Sequence, residues 1–159
     1  MRIIALCAFL RGEEEKKEVL MAVKNGGRGH GHRGLYGGEV KEGESVVEAL
    51  VREIEEECGM IIREDDLTQV GIVTIQKGDA PEFQLNIFVT TKWEGEPVGT
   101  DEMHDPQWFR KFALPESEMW SPDRCWLPLV LAPETFNASF IAHGKRARLI
   151  NVSVNTKFK

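Results

Sequence analysis

The sequence lacks three features that would assign it to particular classes of protein. It has no uninterrupted apolar run of the ~18 residues that a membrane span requires, so we expect no membrane partner. Its three cysteines contain no C-x-x-C pair and predict neither a disulfide framework nor a zinc cluster, which makes a reducing cytoplasm the default location. It also lacks an excess of basic residues. The net charge of −6 disfavours a nucleic acid polymer as partner, whereas divalent metals can bridge acidic side chains to a small acidic substrate.

The chain has 159 residues, enough for one hydrophobic core, and we expect residues 1–159 to form a single domain. Short apolar runs predict strands over residues 3–10, 18–24, 69–76, 83–93 and 106–112, with the first two paired. Residues 25–38, half of them glycine, predict a loop. A short helix is expected over residues 127–131, between a turn at 121–123 and Pro133, and a hairpin over 136–154 with its turn at Gly144. This mixture favours an α/β fold in which helices cover a mixed sheet.

Residues 44–58 have the periodicity of an amphipathic helix. Ser45 and Glu48 predict a capping box at its start, and Gly59 predicts its end. One side of this helix carries a core stripe formed by Val47, Leu50, Val51, Ile54 and Cys58.

A second face of the helix carries Glu53, Glu56 and Glu57, at positions i, i+3 and i+4. Three like charges so close together repel one another and weaken a helix by roughly tenths of a kcal/mol per pair. A divalent cation would reverse that penalty, because hard oxygen ligands are what Mg²⁺ and Mn²⁺ prefer. The glutamates alone are more typical of a solvated acidic face, so the metal interpretation depends on the residues around them.

Those surrounding residues resemble the Nudix box. Gly38 lies six residues before Glu44, Glu44 lies eight before Arg52, and Gly59 and Met60 follow the glutamates. The family pattern is G-x5-E-x7-R-E-U-x-E-E-x-G-U, where U is an apolar residue, and residues 38–60 match every specified position. The chain is therefore identified as a member of the Nudix family of metal-dependent hydrolases. The resemblance implies the Nudix fold, an α/β/α sandwich with a central mixed β-sheet flanked by helices.

The resemblance also implies roles for the box. Glu53, Glu56 and Glu57 would bind Mg²⁺, with Mn²⁺ as an alternative, and the Gly38 carbonyl would be a further ligand. Metals held in this way neutralise a diphosphate and lower the pKa of the attacking water. Glu53, or a carboxylate outside the box, would be the general base.

Other residues would support the metal site and the phosphates. Arg52 and Glu44 would form an ion pair that holds the loop against the helix. Gly37, like the glycine that follows it, lets the backbone approach phosphate and metal closely because it carries no side chain. Lys24 and Arg33, with Arg28, are candidates for charge-assisted bonds to the substrate phosphates. His30 and His32 form an H-x-H pair, for which a solvated or phosphate-facing loop is favoured over a metal site.

Beyond the box, the resemblance covers nearly the whole chain and narrows to the branch of MutT-like 8-oxo-dGTP diphosphatases. Members of that branch cleave oxidised purine nucleoside triphosphates to the monophosphate and pyrophosphate. By this resemblance Trp120 would stack on the base and Asp123 would contact the base edge. Glu102 would sit near the metals as an additional ligand or as the base.

The chain departs from that branch at two positions that bear on the base. The branch has an aspartate where this chain has Pro122, and an asparagine where this chain offers Gly34 or Arg33. Hydrogen-bond partners of this kind determine which base is accepted. The resemblance therefore implies the cleavage reaction more strongly than specificity for 8-oxoguanine.

The expected substrate is a purine nucleoside triphosphate, and two alternatives stay open. One is a Nudix pyrophosphatase for a dinucleotide or a nucleotide sugar, which would release two phosphate-bearing fragments instead of pyrophosphate. The other is a non-catalytic module that binds a nucleotide or a protein, although its usual sign is a broken box. Either a monomer or a homodimer is compatible with the sequence.

Overall fold

The structure is a computed structural model that describes residues 1–27, 29–132, 134–143 and 146–155. Arg28, Pro133 and Gly144, for which the sequence suggests roles, lie outside these ranges. The strands are β1 (Arg2–Arg11), β2 (Glu18–Lys24), β3 (Arg33–Gly34), β4 (Tyr36–Glu39), β5 (Thr68–Lys77), β6 (Ala80–Thr90), β7 (Met103–Arg110), β8 (Thr135–His143) and β9 (Arg146–Asn155). The helices are α1 (Val46–Cys58) and α2 (Ser121–Val130), and short 3₁₀ turns occupy Glu14–Lys16, Glu64–Asp66 and Glu116–Glu118.

The strands form one mixed sheet. Its order is β3-β2-β1-β6-β5-β8-β9, with β4 also paired to β1 and β7 also paired to β2. The β1–β6 and β5–β8 pairs are parallel, and the other neighbours are antiparallel. The mixed sheet and the closing β8–β9 hairpin are both as predicted.

The two helices cover opposite faces of this sheet. Alternate residues of β1 point to opposite faces, so that Leu6 packs in the cluster that contains Trp126 of α2, whereas Cys7 packs in the cluster that contains Leu50 and Ile54 of α1. The expected α/β/α sandwich is confirmed. Neither helix has the length and apolar composition that would let it cross a membrane, within the part of the chain that is described.

Local signals determine where α1 begins and ends. The Ser45 hydroxyl accepts from the Glu48 N–H at 3.0 Å, and the Glu48 carboxylate accepts from the Ser45 N–H at 2.8 Å. Gly59 adopts the left-handed conformation (φ 77°) that ends the helix. The predicted stripe is buried at Leu50, Ile54 and Cys58, and its other two members are half-buried.

Three details differ from the sequence prediction. The glycine-rich segment contains β3 and β4, because backbone hydrogen bonding to a neighbouring strand needs no apolar side chains. β2 meets β1 only at its first two residues and pairs mainly with β7. Residues 121–123 are the first turn of α2 rather than a separate turn, because Pro122 is tolerated where the helix has no use for its missing N–H.

Candidate functional site

Three carboxylates meet at one end of α1. Glu53 and Glu57 lie one helical turn apart, and Glu102 approaches them from the loop just before β7. Each offers an oxygen within 4.8 Å of the others. Glu57 is only 4% exposed, whereas Glu102 is exposed to solvent. The cluster therefore runs from a buried acid at its base to an accessible acid at its rim.

The backbone of Gly37 and Gly38 forms the wall opposite the helix. The Gly37 N–H donates to Glu57 Oε1 at 2.8 Å. A Cβ at Gly37, where φ is +146°, would overlap the carbonyl oxygen of Ala5 on β1. A Cβ at Gly38 would lie 2.6 and 2.7 Å from the carboxylate oxygens of Glu53. The site thus requires glycine at both positions, for two different neighbours.

The electrostatics of this cluster favour a bound cation. The pKa of Glu57 is raised to about 8, chiefly by burial and also by the nearby charges of Glu53 and Glu102. The Gly37 hydrogen bond and the positive charge of Lys24 act in the opposite direction and do not compensate. A cation among the three carboxylates would relieve both the desolvation and the mutual repulsion.

Arg52 connects the loop before α1 to the cluster. Its Nε and Nη2 donate to the two carboxylate oxygens of Glu44 at 2.7 and 2.9 Å, which is the ion pair expected from the sequence. This bonding holds the pKa of Glu44 at about 2. The Nη1 group also donates to Glu53 and to Glu56, at 3.0 Å each. Arg52 therefore fixes the orientation of the Glu53 carboxylate.

Glu56, expected as a third metal ligand, is exposed and is not one of the three clustered carboxylates, and its carboxylate accepts from the Arg52 Nη1 group that also donates to Glu53. Successive helical residues differ by about 100° around the axis, and Gly37 and Gly38 of β4 lie against Glu57 and Glu53. Glu102 is the carboxylate that completes the cluster instead, in agreement with the position expected for it near the metals.

Two residues that sequence reasoning missed hold Glu102 in place. The Thr100 hydroxyl donates to the Glu57 carbonyl at 2.7 Å and accepts from the Glu102 N–H at 3.3 Å. Asn25 donates through its backbone N–H to the Glu102 carbonyl at 2.9 Å and through its side chain to the Asp101 carbonyl at 3.0 Å. Threonine and asparagine often bond to backbone in this way, but nothing in the local pattern indicates these distant partners.

A second pocket adjoins the carboxylate cleft. Gly34, Trp120 and Asp123, which the sequence grouped as candidates for base recognition, all line it, together with His32. A Cβ on Gly34 would lie 3.7 Å from Asp123 Oδ2, so these two walls are close together. Lys24 lines both this pocket and the carboxylate cleft, and so marks the junction between them.

Arg33 differs from its predicted role. Its side chain is 4% exposed, and its guanidinium donates to the carboxylates of Asp105 (2.7 Å) and Glu118 (3.1 Å) and to the Asp105 carbonyl (2.6 Å). A guanidinium engaged in this way is not available to phosphates, so the structure does not support the phosphate contact expected for it. Among the described residues that were expected to contact phosphate, Lys24 remains the candidate.

Known proteins resemble both the sequence and the fold. The family model described as NUDIX domain matches residues 1–130. The oxidized purine nucleoside triphosphate hydrolases of Danio rerio and Mus musculus are 36% and 33% identical over 127 residues, which is 79% of this chain and 80% of each relative. The crystal structure of a MutT protein from Bacillus halodurans covers 99% of both chains with a TM-score of 0.74 at 21% identity, a likeness of fold alone. A MutT NUDIX hydrolase from Burkholderia pseudomallei covers 72% of this chain and 86% of its own, with a TM-score of 0.62 at 26% identity.

Proposed function

The chain belongs to the Nudix family of hydrolases, and from this premise we propose that it cleaves purine nucleoside triphosphates with an oxidised or otherwise modified base to the monophosphate and pyrophosphate. The observation that carries this proposal is the adjacency of two sites. A three-carboxylate cleft suited to a metal diphosphate adjoins a pocket with an indole and a carboxylate in its walls, and Lys24 lies between them. The names of the vertebrate relatives support the same class of substrate.

The donor set of the cleft fits Mg²⁺, with Mn²⁺ as the alternative. Carboxylate oxygens are the ligands both ions prefer, and three of them converge here within 4.8 Å of one another. Glu53 and Glu57 would hold the ion, with Glu102 at the open side of the cleft, and the family resemblance implies Glu56 and the Gly38 carbonyl as further ligands. When bound, the metal neutralises the diphosphate and lowers the pKa of the attacking water.

The chain's own residues divide the remaining work. Glu53 is confined between Arg52 and the backbone of Gly38, which suits a fixed ligand. Glu102 stands on an exposed loop at the open side of the cleft, so we assign it the role of general base. Lys24 would donate to the phosphates at the junction of the two pockets.

In the second pocket, Trp120 would stack on the purine, and Asp123 would accept hydrogen bonds from its edge. Gly34 contributes no side-chain hydrogen bond. His32 lines the same pocket, and its buried Nδ1 has no hydrogen-bond partner among the described residues. We therefore add His32 to the residues that contact the base or its sugar.

The test is a substrate panel with product identification. Ordinary, oxidised and alkylated nucleoside triphosphates, dinucleotides and nucleotide sugars would be assayed with Mg²⁺ and with Mn²⁺. Release of pyrophosphate and a monophosphate from a modified purine nucleotide, at the highest kcat/KM of the panel, is the expected result. Two phosphate-bearing fragments from a dinucleotide or sugar substrate at higher kcat/KM would favour the first alternative instead.

A matched pair of variants separates catalysis from mere binding. Glu57→Gln removes a buried member of the carboxylate cluster, whereas Glu55→Gln changes an exposed glutamate of the same helix. We expect Glu57→Gln to lose roughly 10²-fold or more in kcat and Glu55→Gln to match wild type. Equal turnover by both variants would overturn the metal assignment. A wild-type protein that binds nucleotides without hydrolysing any would favour the non-catalytic alternative.

A further inference from the structure

We propose that Arg33 is a positioning residue that joins the two walls of the nucleoside pocket, and that it thereby determines nucleotide KM and base discrimination. The inference rests on the proposed function, since it concerns the same pocket. It gives a role to a buried arginine that neither the carboxylate cluster nor the phosphate contacts explain.

The two walls of the pocket belong to elements far apart in the sequence. Gly34 comes from β3, whereas Trp120 and Asp123 come from the start of α2. Arg33 contacts the second wall twice. Its backbone forms a parallel bridge with Met119, and its Nε donates to Glu118 at 3.1 Å. Arg33 therefore holds both Glu118 and Met119, the two residues that precede Trp120.

The other end of the guanidinium is held by an irregular part of the sheet. The register of β2 against β7 shifts near Met21, and Asp105 there has a left-handed φ of 52°, unusual for a residue with a side chain. This conformation presents both the carbonyl (2.6 Å) and the carboxylate (2.7 Å) of Asp105 to Arg33. The Phe109 ring lies 5.3 Å from the guanidinium carbon. The bulge thus provides a rigid base from which Arg33 reaches the pocket wall.

Burial makes this arrangement sensitive to geometry. Arg33 is 4% exposed, whereas the carboxylates of Asp105 and Glu118 are 51% and 52% exposed. A buried charge pair is often no more stabilising than an apolar contact. The planar guanidinium, however, donates well only to acceptors that lie at set positions. Lysine carries the same charge as a single point and cannot hold both carboxylates and a carbonyl at once. The arginine therefore fixes relative positions more than it adds stability.

The experiment measures kcat, KM and the ratio of kcat/KM for purine against pyrimidine nucleoside triphosphates in two variants. Arg33→Lys should raise KM for the preferred nucleotide by about tenfold or more and reduce the purine preference, while kcat and the Mg²⁺ midpoint stay within about threefold of wild type. Glu118→Gln, which alters only an exposed carboxylate, should act in the same direction to a smaller extent. Arg63→Gln breaks the exposed pair with Glu94 away from the pocket and should change none of these quantities.

Several outcomes would overturn the inference. The first is that KM and the purine preference are unchanged both in folded Arg33→Lys and in Glu118→Gln. If Arg33→Lys does not fold, unchanged values in Glu118→Gln are enough to overturn the inference. Another is a fall in kcat with a shifted Mg²⁺ midpoint at constant KM, since that would place the effect at the metal. If the wild type hydrolyses nothing, the proposed function fails. The inference can then be tested by binding alone, measured as the quenching of tryptophan fluorescence by a non-hydrolysable purine nucleoside triphosphate. Weaker binding to Arg33→Lys would support it, and equal binding would refute it.

Discussion

Replacement of Gly38 by alanine would place a methyl group against the carboxylate of Glu53. The new Cβ would lie closest to the carboxyl carbon of Glu53 and 2.6 and 2.7 Å from its two oxygens, whereas ordinary contacts begin at 3.4 Å, so the carboxylate must retreat by about 1 Å. A misplacement of ~1 Å in catalytic geometry can cost ~10²-fold in rate. Because the displaced group is the end of a side chain and Gly38 has no positive φ, the free energy of unfolding should change by about 1 kcal/mol or less.

The adjacent glycine should behave in the opposite way. At Gly37 a Cβ would overlap a backbone oxygen of Ala5, and φ is +146°, so neither the backbone nor the neighbour can yield easily. Gly37→Ala should therefore lose stability, with a melting temperature lower by roughly 5 °C or more. Gly99→Ala is the control for both, because its nearest new contacts, at 3.7 and 3.9 Å, are ordinary ones.

Thermal melting, steady-state kcat and a Mg²⁺ titration of activity would be measured on all three variants. The expected pattern is an inactive but stable Gly38→Ala with a raised Mg²⁺ midpoint, an unstable Gly37→Ala and an unaffected Gly99→Ala. A Gly38→Ala enzyme with kcat within about threefold of wild type would refute the reasoning, because the methyl group would then have moved Glu53 without consequence. A Gly37→Ala protein with the melting temperature of the wild type would also refute it.

Three further changes test other parts of the site. Glu102→Gln should lower kcat by roughly 10²-fold, measured against Asp101→Asn in the same loop, and a kcat equal to that of the control would exclude Glu102 as the base. The pKa of Glu57 is raised to about 8, so in metal-free protein the folded state holds a proton that the unfolded chain, with a pKa of ~4.5, releases. The free energy of unfolding should therefore fall as pH rises from about 4.5 to 8, and this fall should be smaller in Glu57→Gln. Urea denaturation with a chelator present, at pH 6 and at pH 8, measures it. An equal pH dependence in the wild type and Glu57→Gln would contradict the burial argument. Glu44→Gln should leave Arg52 with a weaker partner and raise the Mg²⁺ midpoint of activity, whereas an unchanged midpoint would remove Arg52 from the support of the metal site.

The elements that the sequence predicts well are those whose signals are local. The capping box of Ser45 and Glu48, the left-handed Gly59 and the apolar stripe of α1 all lie within a few residues of the contacts they make. The same holds for the alternation along β1, which serves both faces of the sheet. The Nudix box is local as well, and the resemblance that it carries singles out Glu53, Glu56, Glu57 and Gly38 together.

What could not be predicted depends on which elements lie next to each other. Helical spacing places Glu53, Glu56 and Glu57 on one face, but only the packing of β4 against α1 decides that Glu57 is buried while Glu56 stays in solvent. Thr100 and Asn25 have no distinguishing neighbours in the sequence, yet they hold Glu102 beside the cluster. Their partners lie tens of residues away, and no periodicity encodes such pairings.

Arg33 is the clearest case of the same limit. In a glycine-rich segment beside a phosphate site, an exposed cation is the natural interpretation of an arginine, and composition alone supports it. Its burial follows from the bulge at Asp105 and from the turn that ends at Glu118, each separated from it by more than seventy residues. A residue can be assigned to phosphate from charge and proximity to a motif, but whether it points at substrate or at the protein depends on acceptors that only the fold supplies. Base specificity therefore has to be argued from the structure of the pocket around Trp120, because charge alone assigns Arg33 to a phosphate, whereas the structure pairs it with the protein's own carboxylates.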